Sequence, residues 1–261
     1  MVRTVLQYTD DVAFAEGFFR TSNLATDLAG DFSSTLIKRD GHWVIATVRF
    51  APLTFEAPFH YAIRPERVKR PERPGDWITV FDGGSTTELC SMDRGPLPSD
   101  WSVQDGMLKL TPTRGRPPGG HRGIRTSETF TDFELEFEWK VGAKGNSGVK
   151  YGLFYLTGGD GAGYEYQVAD DGGDPGAAQD PRQRSGGLYM LRAPAKETSG
   201  PLGQFNKGRI VVRGRRFEHW LNGEKVVDYE AAAPPIESPI VFQNHTRETW
   251  FRNIRVRHLA E

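Results

Sequence analysis

The chain has 261 residues, 37% of them hydrophobic and 11% aromatic, enough apolar material for a sizeable core in one large domain or two modest ones. Its formal net charge of -1, from 33 basic and 34 acidic residues, gives no long-range attraction to nucleic acid or to an anionic membrane, so a neutral small molecule is the expected partner. No apolar run approaches the roughly 20 residues of a bilayer span, and Cys90, the single cysteine, excludes both an internal disulfide framework and a thiolate zinc site.

The opening MVRTVLQYTDDVAF lacks the basic-then-apolar pattern of a secretory leader. DVAFAEGFFRTSNLA is consistent with a strand, and DFSSTLIKRDGHWVIATVRF reads as two alternating strands about Asp40-Gly41, a hairpin signal. Residues 1–60 are therefore expected to form an incomplete antiparallel sheet without a long helix, and three strands alone make a poor domain. Residues 61–75 read as a linker. RPERVKRPERPGD, Arg64 to Asp76, disfavours helix and sheet alike, and its charge suits a solvated connector better than a phosphate site.

From residue 76 onward the pattern is β throughout. In FELEFEWKV, Phe133, Leu135, Phe137, Trp139 and Val141 share one face against Glu134, Glu136, Glu138 and Lys140, which are expected to face solvent. GYEYQVADD sends Tyr164, Tyr166 and Val168 to one side and Glu165, Gln167 and Ala169 to the other. RIVVRG and RFEHWLNGEKVVDY make a three-strand meander, with Asn222-Gly223 favouring a type I′ turn. TWFRNIRVRHL alternates Ile254 and Val256 with arginines that coat the outside. Many short strands between Gly and Pro turns, with no sustained helical period, predict an all-β, two-sheet sandwich with Phe133, Leu135, Phe137, Trp139, Ile254 and Val256 buried.

The motifs WITVFDGG, WSVQDGMLKL, TFTDFELEFEWKVGAKGNSGVKY, GYEYQVADD, GGLYML and FQNHTRETWFRNIRVRHL arrive in the order found in the 3-keto-disaccharide hydrolase family, which residues 76–261 resemble. The resemblance implies a concanavalin A-like jelly roll whose concave sheet holds sugar, and cleavage of glycosides oxidised to a ketone at C3. VAFAEGFFRTSNLATDLAGDFSSTLIKRDGHWVIATVRFA resembles the closing strands of a SnoaL-like α+β domain, without the helices that such a domain places first. That resemblance implies a start cut short, which leaves export undecided; no SnoaL-type catalytic residue is carried over.

A C3 ketone acidifies the C2 proton, so cleavage needs a base, an enolate stabiliser and a proton donor for the leaving group. No carboxylate pair at a retaining or inverting separation is required. The resemblance points to Glu165 as base, to Lys150 as enolate stabiliser or desolvated base, and to His245 as general acid or base. Gln167, Asn146, Tyr151, Asp170, Asp171 and Gln243 are the candidate substrate-binding residues. Packing explains His219. No cofactor is called for; the acid-rich loop from Asp170 to Asp180 offers oxygen ligands for calcium, though Asp-Asp-Gly-Gly equally suits a turn.

The sequence also departs from the family pattern. DDxxHPDA becomes DDGGDPGA, with Asp174 and Gly176; GALYDL becomes GGLYML, with Met190; and QDHG becomes QNHT, with Asn244 and Thr246. These changes keep a second reading open, a carbohydrate-binding module on the same jelly roll that has lost the reaction.

Overall fold

A computed structural model of the chain describes residues 2–9, 12–21, 28–39, 42–52, 75–111, 123–155, 162–232, 234–245 and 247–260. The Asp40-Gly41 turn and all but the last residue of the expected linker lie outside the described residues. The chain divides into two compact units, residues 1–66 and 67–261.

The first unit is an antiparallel meander of β1 (Val2–Thr9), β2 (Val12–Thr21), β3 (Leu28–Arg39) and β4 (His42–Pro52), hydrogen-bonded in that order. β1 adds a strand to the three expected; its Val, Thr, Leu and Tyr residues favour extended backbone. No helix occurs among the described residues of this unit.

The second unit is a two-sheet antiparallel sandwich of the jelly-roll kind. Its chain order is β5 (Ile78–Phe81), β6 (Leu89–Ser91), β7 (Trp101–Gln104), β8 (Met107–Leu110), β9 (Ile124–Thr126), β10 (Phe133–Val141), β11 (Asn146–Tyr155) and β12 (Ala162–Ala169). After a short helix, α1 (Pro175–Gln179), come β13 (Asn206–Arg213), β14 (Arg216–Leu221), β15 (Glu224–Glu230), β16 (Val241–Phe242) and β17 (Thr249–His258). One sheet runs β15-β14-β13-β10-β17-β8-β7, with β5 also on β17, and the other runs β12-β11-β16-β9-β6.

Period-2 alternation decides the core. Phe133, Leu135, Phe137, Trp139, Ile254 and Val256 are all buried between the sheets, as expected. Aromatic rings lock the layers together: Phe137 of β10 meets Tyr166 of β12 edge-on at 5.2 Å between centroids, and Phe242 of β16 meets Phe251 of β17 at 5.1 Å. Each such pair adds about 0.5–1.5 kcal/mol to the burial of its rings. The β14–β15 hairpin turns on Asn222 and Gly223 at φ 51° and 88°, the left-handed pair that Asn-Gly tolerates.

The charged face of β10 departs from the expectation of a wet surface. Glu134 is 4% exposed and receives both Arg209 of β13 and Arg257 of β17. Burial pushes its carboxyl up, but the hydrogen bonds from these two guanidinium groups hold it below the usual carboxylate range. Arg255 meets Glu136 at 2.6 Å and Arg252 meets Glu138 at 2.7 Å, so the outer arginines of β17 lie in a cross-strand ion-pair ladder. α1 also departs from a helix-free reading: Asp174 caps it by accepting from Gly176 N and Ala177 N, and Pro175 follows at its first position. Among the described residues no helix is long and apolar enough to cross a membrane.

Candidate functional site

The site is built on the face of the five-stranded sheet turned away from the core. On β11, Val149 and Tyr151 look into the core, so Asn146, Gly148 and Lys150 look out. On β12, Tyr166 and Val168 look in, so Glu165 and Gln167 look out. The register pairs Lys150 with Glu165 and Gly148 with Gln167, and β16 sets Val241 on the far side of Lys150. Lys150 Nζ lies 3.9 Å from Glu165 Oε2, with only 13% and 11% of the two side chains exposed. That separation exceeds hydrogen-bond length, so charge rather than a shared hydrogen couples them.

Gly148 shapes the pair. A Cβ added there would come within 2.1 Å of Glu165 Oε1 and 2.7 Å of its Cδ, which shows that the carboxylate lies over the glycine. Beside it on β12, level with Gly148, Gln167 is fully buried, and neither its Oε1 nor its Nε2 has a hydrogen-bond partner. Buried amides in proteins are as a rule hydrogen-bonded, so this one marks a polar patch suited to a hydroxylated ligand or an ordered water. Gln243, 7% exposed, donates its backbone N–H to Gly148 O at 2.9 Å, while its carbonyl accepts from Ser147 Oγ at 2.8 Å. Its side-chain Oε1 likewise has no hydrogen-bond partner.

Against known families, residues 76–257 match the model of the 3-keto-alpha-glucoside-1,2-lyase-like domain. The chain belongs to that family. A 3-keto-disaccharide hydrolase of Bacteroides thetaiotaomicron is 27% identical over 242 residues, spanning 76% of this chain and 83% of that protein. Two solved structures from Parabacteroides distasonis, each described as a candidate glycosyl hydrolase, share the fold. One has a TM-score of 0.60 at 24% identity, covering 70% of this chain and 94% of that one. The other has a TM-score of 0.57 at 22% identity, covering 70% and 100%.

Within this 3-keto-alpha-glucoside-1,2-lyase-like domain the sequence-derived candidates separate into two groups. Lys150, Glu165, Gln167 and Gln243 gather about the outer face of β11, β12 and β16. Asn146 shares that face and reaches Asp174 Oδ2 at 3.3 Å, tying β11 to the cap of α1. His245 is half-buried on the loop that leaves β16, beyond Asn244, whose Nδ2 donates to Asp100 Oδ2 at 3.1 Å.

Tyr151 is a correction. It faces the core at 1% exposure, because adjacent strand residues point to opposite sides and Lys150 already points out. Asp170 and Asp171 clasp loops. Asp170 accepts from Lys144 N at 2.8 Å and Gly173 N at 3.1 Å; Asp171 accepts from Ser185 N at 2.8 Å and Ser199 Oγ at 2.8 Å. With Asp174 capping α1 and Asp180 gripping Arg182, the oxygens offered for calcium are engaged by N–H and O–H donors. Among the described residues no three or more His, Cys, Asp or Glu side chains are grouped to hold a metal.

A groove on the outer face of the eight-stranded sheet is lined by Glu136, Glu138, Arg209, Trp220 and Arg255. Its glutamates already meet arginines, and none of the candidate residues reaches it.

Tyr189 escaped the sequence reading. It donates its backbone N–H to Glu165 O at 3.0 Å, and burial, then the charges of Glu165, Asp174 and Asp180, push its phenol above the usual value. It belongs to no regular strand, so alternation gives no signal for it.

His219 packs in the core as expected, fully buried between Tyr151 and the segment after α1. Its Nδ1 lies 3.0 Å from Gly186 O, which can only accept, so the ring carries its proton there and Nε2 accepts from Tyr151 O–H at 2.8 Å. Burial lowers its pKa to about 4. The unfolded value lies near ~6.5, so the unfolded chain binds the extra proton between those limits and His219 stabilises the fold only above them. Stability should therefore fall by about 3 kcal/mol from this group as pH drops from 6.5 to 4. Urea unfolding across that range should show a steeper decline in the wild type than in His219→Gln; parallel curves would contradict the assignment.

Proposed function

We propose that the domain cleaves glycosides that carry a ketone at C3, 3-keto-disaccharides among them. The observation that carries this reading is the Lys150–Glu165 pair, 3.9 Å apart beside a polar patch on the outer sheet face, in a chain of this family. Glu165 takes the C2 proton, and the Lys150 ammonium neutralises the enolate oxygen that forms at C3. His245, on the loop that leaves β16, is the residue to which we assign proton exchange at that oxygen. The electron pair expels the C1 substituent, and water then adds to the resulting enone. Gln167, Gln243 and Asn146 supply the amides that orient the ring.

Incubating the protein with a 3-keto-disaccharide and, separately, with its unoxidised parent tests this. Release of product from the ketone alone is expected, because only the ketone acidifies C2. Binding of both sugars without turnover, or cleavage of both at similar rates, would refute it.

A further inference from the structure

The sheet continues past β12 as an irregular added strand. Gln167 donates its backbone N–H to Gly187 O at 3.0 Å and accepts from Gly186 N at 2.9 Å, and Tyr189 N donates to Glu165 O at 3.0 Å. Between them Leu188 bridges Tyr166, and its side chain is fully buried in the core. Tyr189 is part-exposed where Leu188 is buried, so it turns to the outer face, and its main-chain bond to Glu165 sets it in one cross-sheet row with Val241, Lys150 and Glu165. The segment is pinned at both ends: Ser185 Oγ donates to Ala169 O at 2.9 Å, and Arg182 Nη1 donates to Met190 O at 3.3 Å.

The order of that row matches the order of the reacting atoms. Strand neighbours sit ~4.8 Å apart. With the C3 oxygen at Lys150 and C2 at Glu165, the bonded neighbour C1 lies toward Tyr189. Resting on the reading of the site given above, we infer that Tyr189 is a catalytic residue that protonates the leaving oxygen at C1. In the first half, the C2–H bond breaks and its proton passes to Glu165. The enolate pair forms C1=C2, the C1–O bond breaks, and the departing oxygen takes the phenol proton. In the second half, water adds to C1 and gives its proton to the phenolate, while C2 recovers a proton from Glu165. Both side chains end as they began, and water is the only reagent consumed.

The electrostatics suit this sequence. The phenol is protonated at rest, and burial first, then the Glu165 charge, oppose its ionisation further. Once Glu165 has accepted the C2 proton that charge is gone, so the phenol becomes a better acid as the leaving group needs it.

Tyr189→Phe keeps the ring and removes the donor. Turnover of a 3-keto-disaccharide, whose leaving group is an alkoxide, should fall roughly 10²- to 10³-fold. A 3-keto nitrophenyl glycoside, whose leaving group departs without a proton, should keep its nitrophenolate release within a few-fold. Equal losses on both substrates, or no loss on the disaccharide, would overturn the assignment. The wild type supplies a second measurement that needs no variant: its rate should depend weakly on leaving-group basicity, and a steep dependence overturns the assignment too. A wild type inert on both ketones overturns the reading of the site and this role with it. Wild-type turnover with the wrong leaving-group pattern overturns Tyr189 alone.

Discussion

Glu165→Gln is expected to lower turnover of a 3-keto-disaccharide by roughly 10²- to 10⁴-fold with little change in binding. The amide keeps the carboxylate's length and planarity, so it still fits over Gly148, but it cannot accept the C2 proton. Lys150 loses the carboxylate 3.9 Å away and presents more net charge to the ketone oxygen, so affinity should hold or rise slightly. A loss confined to the maximal rate would mark an interaction made in the transition state. The variant carries an internal check. Glu165 is one of the charges that raise the Tyr189 phenol, so Tyr189 should titrate at lower pH in Glu165→Gln, while burial, the larger cause, still holds it above the ordinary value. Full turnover in Glu165→Gln dismisses it as the base; lost turnover with an unmoved Tyr189 titration dismisses the shared row.

What alternation could decide was legible in the chain. Phe133, Leu135, Phe137, Trp139, Ile254 and Val256 fell into the core because period 2 fixes which side of a sheet a residue faces once one face is apolar. The same rule set Glu165 and Gln167 against Tyr166 and Val168. Applied to Lys150 and Tyr151, it would have kept that tyrosine out of the site, since neighbours on a strand cannot share a face. Motif resemblance had grouped them by adjacency in sequence. Glu134 was hidden for another reason: alternation names its face, but the burial comes from Arg209 and Arg257, brought in from strands far along the chain. Asp174 had a readable signal, an acid directly before proline, yet the following Gly-Ala-Ala was too short to suggest a helix. Tyr189 lies in the GGLYML motif, which marks it by resemblance, but its position beside Glu165 depends on main-chain bonds from an irregular segment to the edge of β12 that no periodicity announces.

Gly148→Ala should separate the site from the fold more cleanly than any change to a polar residue. Gly148 lies within β11 without a left-handed backbone, so alanine meets no conformational penalty there, and the lost glycine entropy favours the folded state by about 0.4–1 kcal/mol. The new methyl meets Glu165 Oε1 at 2.1 Å, its Cγ at 2.7 Å and its Cδ at 2.7 Å. These atoms belong to a flexible side chain, so the collision is relieved by rotating Glu165 away rather than by moving a strand. The melting temperature should then stay near the wild-type value. Turnover should not: displacing a catalytic group by about 1 Å costs on the order of 10²-fold, and the carboxylate must move at least that far to clear a methyl. A cavity or packing defect would lower both quantities together, and a solvent-facing carboxylate without a role would lower neither. Retained activity in a well-folded Gly148→Ala would mean that Glu165 need not rest over Gly148 for the reaction, and the geometry proposed for the base would fail with it.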